Sequence, residues 1–282
     1  MALKDILVQL TSYPESTLVS AVAQAVDFVK AVDAHISALT FEIVVRVPGV
    51  ALAPARINVE SQLAAEHDRS VANARELIDA FEGAATAAGL AHDHFVERCE
   101  NSQVADIATE YARLHDLTLI PLGPDGSFAQ SIAEAIVFGS GRPVIVLPTP
   151  AKRRHAGACD TIGVAWDFSR TAARAVADAL PLLKQAKTVR IVTVTDDKPI
   201  ESRHSATALA HHLSYHGVNA ISDSQSAAGR PVGQVLEHYA RARELDLLVM
   251  GAYGHSRMRE LILGGATQSI LADPPLPVLM AH

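Results

Sequence analysis

Cysteine is nearly missing from this chain. Cys99 and Cys159 are the only two in 282 residues, which excludes a disulfide framework and leaves no CxxC pair for zinc. Aromatic residues are also scarce, at 5%, so the 49% hydrophobic content is mostly Ala, Val, Leu and Ile. That balance suits helices packed on buried parallel strands. No run approaches the ~20 apolar residues that span a bilayer. The opening Met1-Ala-Leu-Lys-Asp-Ile-Leu-Val has neither the length nor the flanks of a signal peptide, so a cytoplasmic, soluble protein is expected. Positive charge is in deficit, with a net charge of −7. The densest basic run, Lys152-Arg153-Arg154, is three residues long and lies in a linker-like stretch, so no nucleic-acid surface is expected.

What the chain does contain is an internal repeat. Tyr111-Ala-Arg-Leu-His-Asp-Leu-Thr-Leu-Ile recurs as Tyr239-Ala-Arg-Ala-Arg-Glu-Leu-Asp-Leu-Leu-Val-Met, with two extra residues in the second copy. A Pro-Val segment follows each copy, at Pro143 and at Pro277, and each half opens on a short apolar strand, at Ile6 and at Ile162. The period is roughly 130 to 155 residues, the size of a domain rather than of a solenoid unit. The join is expected around Pro148-Thr-Pro-Ala-Lys-Arg-Arg-His-Ala-Gly-Ala, giving domains 1–150 and 158–282.

Strand and helix patterns alternate within each half. Strands are expected at Ile6–Leu10, Ile36–Phe41, His94–Arg98, Leu117–Leu122 and Val144–Leu147. Between them lie a helix with Leu18, Val22, Val26 and Val29 on one face, a long helix over Ser61–Ala88, and helices over Ser102–Leu114 and Phe128–Val137. The second half repeats the order. Pro181 is expected to kink or end its first helix, Gly217 to stop its second, and Pro231 to open its third. Such alternation implies right-handed βαβ crossovers and an α/β fold of two tandem domains, each on a five-stranded parallel sheet.

The chemistry-bearing motif lies in the second half. The strand Leu247-Leu-Val-Met runs into Gly251-Ala-Tyr-Gly254, and Gly264-Gly265-Ala266-Thr267 opens a last helix. Glycines at the end of a parallel strand let the backbone approach a ligand, and N–H groups at the next helix N-terminus attract an anion. His255, Arg257 and Arg259 lie between the glycines, as phosphate neutralisers or as ordinary loop charges. The first half has no such loop: Gly123-Pro124-Asp125-Gly126 carries prolines that remove N–H donors.

The spacing Gly251-x2-Gly254-x9-Gly264 before a Pro-Val strand resembles the ATP-binding signature of the universal stress protein family. Val164-Ala-Trp-Asp167-Phe-Ser169 resembles that family's first strand, where an Asp ends the strand near the adenine. The resemblance implies a doubly wound sheet of strand order 3-2-1-4-5, a stress-response role, and ATP bound by Asp167, Gly251, Gly254, His255, Gly264, Gly265 and Ala266. It also implies antiparallel pairing of last strands, within the chain or in a homodimer. Where the family's nucleotide binders carry Ser or Thr after the third glycine, this chain has Gly265, with Thr267 as a further hydroxyl. Asp167 could equally cap the following helix, as could Ser169. The alternative is an interaction scaffold of the same family without nucleotide. No catalytic constellation is read: HExxH and GxSxG are missing, and any ATPase activity would be slow. His204, His211, His212 and His216 are expected on a solvated helix face rather than around a metal.

Overall fold

The computed structural model describes residues 2–45, 56–123, 127–149, 159–196, 205–252 and 265–282. The basic run Lys152-Arg153-Arg154, His204, and the loop holding Gly254, His255, Arg257, Arg259 and Gly264 lie outside the described residues.

In the first half the strands are β1 (Asp5–Gln9), β2 (His35–Ile43), β3 (His92–Cys99), β4 (Leu117–Pro121) and β5 (Val144–Leu147). The helices are α1 (Val19–Val32), α2 (Arg56–Ala88), α3 (Val104–Arg113) and α4 (Ser127–Gly139). The second half follows with β6 (Thr161–Ala165), α5 (Arg170–Leu183), β7 (Thr188–Thr195), α6 (Ala206–Ser214), β8 (Ala220–Ser226), α7 (Val232–Ala242), β9 (Leu247–Gly251), α8 (Gly265–Ala272) and β10 (Val278–Ala281).

Helical spacing explains which faces are buried. In α1 the buried set Ala21, Val22, Ala25, Val26 and Val29 recurs every three or four residues. In α5 the set is Ala172, Ala175, Val176, Ala179, Leu182 and Leu183. Pro181 lies in the last turn of α5, and the helix runs two residues past it. Its missing N–H thus costs one hydrogen bond where the helix was about to end. Helix α6 stops at Ser214, and Gly217, at φ +79°, closes the turn after it. Pro231 is the N-cap of α7, one position earlier than expected for a first-turn proline.

All ten strands form one sheet in the order β3-β2-β1-β4-β5-β10-β9-β6-β7-β8. The first five strands therefore run 3-2-1-4-5, and the second five repeat that order in mirror sequence across the middle. Neighbours within each half are parallel, with Ile6 beside Ile36 and Leu117, and Ile162 beside Val189 and Leu247. The join is antiparallel: Val278 faces Val146 and Met280 faces Val144. Every residue of β5 and β10 is buried, so strands that would otherwise be apolar edges protect each other. Phe138 against His282 (ring centroids 4.8 Å apart) and the Arg174 guanidinium donating to the Gly141 carbonyl (3.2 Å) add contacts across the join.

One core lies on each face of the sheet, and both run through the two halves. Leu77, Phe81, Val26, Leu182 and Leu213 of α1, α2, α5 and α6 pack on one face. Ala108, Ile132, Leu236 and Ile270 of α3, α4, α7 and α8 pack on the other. The outer strands β3 and β8 are mostly polar at their exposed positions, with Asp93, His94 and Arg98 on one and Ser222, Ser224 and Ser226 on the other, beside Val96 and Ile221. Among the described residues no helix is long and apolar enough to cross a membrane.

Candidate functional site

The strand order reverses between β6 and β9: the chain leaves β6 for β7 on one side and later returns to β9 on the other. At such a switch point the crossover helices diverge and open a crevice beyond the carboxyl ends of the strands. Two connections border it, the turn from β6 into α5 and the end of β9.

The first connection is only four residues long. Trp166 follows the strand, and Phe168 takes a left-handed conformation (φ 62°). The Asp167 carboxylate accepts the Ser169 N–H at 2.9 Å, while the Ser169 hydroxyl accepts the Ala172 N–H at 3.0 Å. Ser169 is thus the helix cap, and Asp167 folds the turn leading into it. Asp167 is exposed at the carboxyl edge of the sheet. Beside it the Trp166 and Phe168 rings lie 5.4 Å apart. Trp166 is the only tryptophan in the chain.

Gly251, the last residue of β9, runs against the first turn of α5. A Cβ there would lie 2.4 Å from the Ala172 nitrogen and 2.6 Å from the Thr171 carbonyl carbon. Only a residue without a side chain lets strand and helix backbones approach this closely. Gly265 stands in the opposite situation. It is the first described residue of α8, is exposed, and among the described residues a Cβ would meet nothing within 4 Å. Gly265 and Ala266 are the first described residues of α8, and N–H groups in the first turn of a helix have no intrahelical acceptor. A right-handed crossover runs antiparallel to its strands, which puts this end of α8 at the carboxyl edge of the sheet. Thr267, the further hydroxyl of this turn, is 3% exposed. Helix α8 is braced by α7, where a Cβ on Gly233 would come within 2.9 Å of the Ser269 hydroxyl.

The first half departs at the same place. Leu117 pairs with Ile6 as Leu247 pairs with Ile162, so Pro121 occupies the position of Gly251. A pyrrolidine ring could not approach a helix as Gly251 does. Correspondingly, nine residues separate β1 from α1, and Leu18 caps α1 with no side-chain bond. The longer connection is tied to α2: the Asn73 amide donates to the Ser12 carbonyl (2.9 Å), and the Ser12 and Ser70 hydroxyls lie 3.2 Å apart. Pro121 is visible in the sequence, Pro124-Asp125-Gly126 lies outside the described residues, and the longer connection leaves no sequence signal.

Groups with displaced pKa values lie elsewhere. The Tyr111 phenol donates to Glu97 (2.5 Å), a bond that, with burial, pushes it up to about 12. Burial, then the bond to Asp223 (2.5 Å), also pushes up the Tyr239 phenol. Burial alone would raise the Asp223 carboxyl, but hydrogen bonds from Tyr239 and from Arg190 (2.9 Å) bring it below the usual range. These clusters tie helices α3 and α7 to strands β3 and β8, so the repeated tyrosine of the two halves performs a packing role. His211 and His212 lie in α6 and His216 in the turn after it; the His212 and His216 ring centroids are 5.1 Å apart, and the His211 ring packs on Tyr215 at 4.9 Å. No cluster of three or more metal-ligating side chains was found among the described residues.

The second half is a doubly wound α/β unit with a glycine at its switch point, the place where folds of this class bind ligands when they have one. Comparison with known proteins narrows the class. Residues 159–282, the second half of the chain, match the model of the Universal stress protein family. A 46-residue stretch is 41% identical to Universal stress protein Slr1230 of Synechocystis sp., covering 16% of this chain and 16% of that protein. In structure, a universal stress protein from Archaeoglobus fulgidus DSM 4304 aligns over 98% of this chain and 95% of its own, with a TM-score of 0.68 and 16% identity. A protein of Pseudomonas aeruginosa PAO1, described as functionally unknown, aligns over 99% and 92% with a TM-score of 0.54 and 13% identity. At these identities the two structures establish the shared fold of the whole chain.

Proposed function

We propose that the second half binds ATP or a related adenine nucleotide in the crevice between β6 and β9, as a regulatory ligand in stress response. The chain is then two domains, 1–150 and 158–282, of which the first does not take the nucleotide. The observation that supports this reading is the start of α8 at Gly265, set at the same edge of the sheet as the Asp167 turn. Asp167 would meet the adenine, and Gly251 and Gly254 would border the ribose and phosphates. Gly264, Gly265 and Ala266 would donate N–H groups to phosphate, with His255 nearby in the loop. Hydrolysis is at most slow, because the sequence carries no Walker-type lysine after its glycines.

Trp166, next to Asp167, gives a local reporter. Its emission should change and saturate as ATP is added, and nucleotide should be recovered when freshly purified protein is denatured. Gly254→Val should abolish both. No binding at about 1 mM ATP, together with an unaltered Gly254→Val protein, overturns the proposal. One observation favours a scaffold without nucleotide: Gly265 offers no hydroxyl where a phosphate would need one. Recovery of stoichiometric ATP rules that reading out. The proposal places the protein in the cytoplasm and includes a homodimer, whose contact would lie away from β5 and β10 because these pair within the chain. Light scattering that reads a strict monomer removes the homodimer.

A further inference from the structure

Helix α6 and the turn after it carry two side-chain pairs at a spacing of four, His211 with Tyr215 and His212 with His216. Residues so spaced share one face of a helix. The first pair is committed: the Tyr215 hydroxyl and His211 Nε2 lie 3.0 Å apart, and the rings pack edge to face with centroids 4.9 Å apart. The second pair is not. The His212 and His216 ring centroids are 5.1 Å apart with the planes at 71°, and neither ring makes a hydrogen bond or ion pair among the described residues. His212 is exposed and His216 half-buried, so solvent reaches both.

A neutral imidazole binds a metal through a nitrogen lone pair that no donor has claimed. Two such rings on one ion, with metal–nitrogen bonds of about 2.0–2.1 Å and a tetrahedral angle, have centroids about 5 Å apart. The backbone therefore already sets the bite, and rotation of the two side chains is what remains to aim the nitrogens. Charge favours the place as well. Both histidines lie at the carboxyl end of α6, the negative end of the helix dipole, in a chain of net charge −7. No third His, Cys, Asp or Glu completes a cluster among the described residues, so the remaining positions are left to water. Mg²⁺ and Ca²⁺ take oxygen ligands and gain nothing from this pair, whereas imidazole suits Zn²⁺, Ni²⁺ and Cu²⁺.

We propose that His212 and His216 form a two-histidine site for a divalent transition-metal ion, with Zn²⁺ fitting the tetrahedral bite. The ion clips the last turn of α6 to the turn that leads into β8. Helix α6 runs from the end of β7 to the start of β8, which puts this site at the amino edge of the sheet, away from the turn at Asp167. It is thus independent of any nucleotide at the carboxyl edge. His211 takes no part, because its ring is held by Tyr215.

The test is calorimetric titration of the full chain with Zn²⁺, and separately with Mg²⁺, with circular dichroism to check that each variant is folded. The parent should bind one Zn²⁺ per chain more than the double variant His212→Gln/His216→Gln. Either single variant should weaken that ion at least about tenfold, since losing even an outer-shell partner of a ligand costs about 10–100-fold. His211→Gln should keep it. Zn²⁺ should also raise the Tm of the parent by more than that of the double variant, because an ion that binds only the folded chain stabilises it. No saturation up to about 1 mM Zn²⁺, equal stoichiometry in parent and double variant, or displacement of the ion by an equal concentration of Mg²⁺ overturns the proposal. So does loss of the ion in His211→Gln, which would centre it on the neighbouring pair.

Discussion

Replacing Gly265 with serine tests how the second-half crevice holds its ligand, because the position is open in every physical sense. Gly265 belongs to α8, where a helical φ is negative, and among the described residues a Cβ there meets nothing within 4 Å. The substitution therefore introduces neither backbone strain nor a clash. Two separable gains follow. Removing glycine from a compatible helical position stabilises the fold by about 0.4–1 kcal/mol. The new hydroxyl, at the open end of α8, adds a hydrogen bond to a charged phosphate, worth about 1.5–3 kcal/mol. In affinity that is about ten- to a hundred-fold. Gly265→Ala separates the two, since it shares the stability gain and lacks the hydroxyl. Titrating ATP into the three proteins by Trp166 emission should rank serine well above alanine and parent, while both variants melt higher than the parent. If serine and alanine bind ATP equally, the phosphate does not lie at the α8 N-terminus and the proposed geometry is wrong.

Gly251→Ala should behave in the opposite way: with the α5 backbone 2.4 Å from the new carbon, overpacking costs about 1–3 kcal/mol, read in thermal or urea unfolding. Ser169→Ala removes the hydroxyl that accepts the Ala172 N–H and should lower stability by about 1 kcal/mol. Tyr239→Phe should move the acid-unfolding midpoint toward neutral pH. Folded Asp223 holds its proton less tightly than in the unfolded chain, so its contribution is present above the usual carboxylate range. That contribution is lost as pH falls through its lowered pKa, and taking away the Tyr239 hydrogen bond raises that pKa and brings the loss to higher pH. An unchanged acid midpoint would show that the phenol does not hold the carboxylate in its charged form.

Much of the fold was legible because its signals are local. The apolar runs at Ile6, Leu117, Val144 and Ile162 became strands, and the three-and-four spacing of Val22, Val26 and Val29 became the buried stripe of α1. Strand order came from the family resemblance rather than from any periodicity. The candidate site was legible in part. Gly251 stood out as a turn glycine, but the reason for it is the backbone of α5, some eighty residues earlier, and no spacing rule reports a contact across that separation. For the same reason the exchange of Gly251 for Pro121 could be recognised only once strand register aligned the halves.

The antiparallel contact between β5 and β10 has a geometric consequence for how the molecule meets its ligands. Strands on either side of that contact point in opposite directions, so their carboxyl ends lie on opposite rims of one sheet. The first-half connection beside Pro121 and the turn at Asp167 therefore face away from each other. Neither a lid nor a large partner can close over both at once, and each rim can be occupied without obstructing the other. A duplicated fold joined in this way is a two-port device, and each port is free to change its chemistry while the middle of the sheet stays the same.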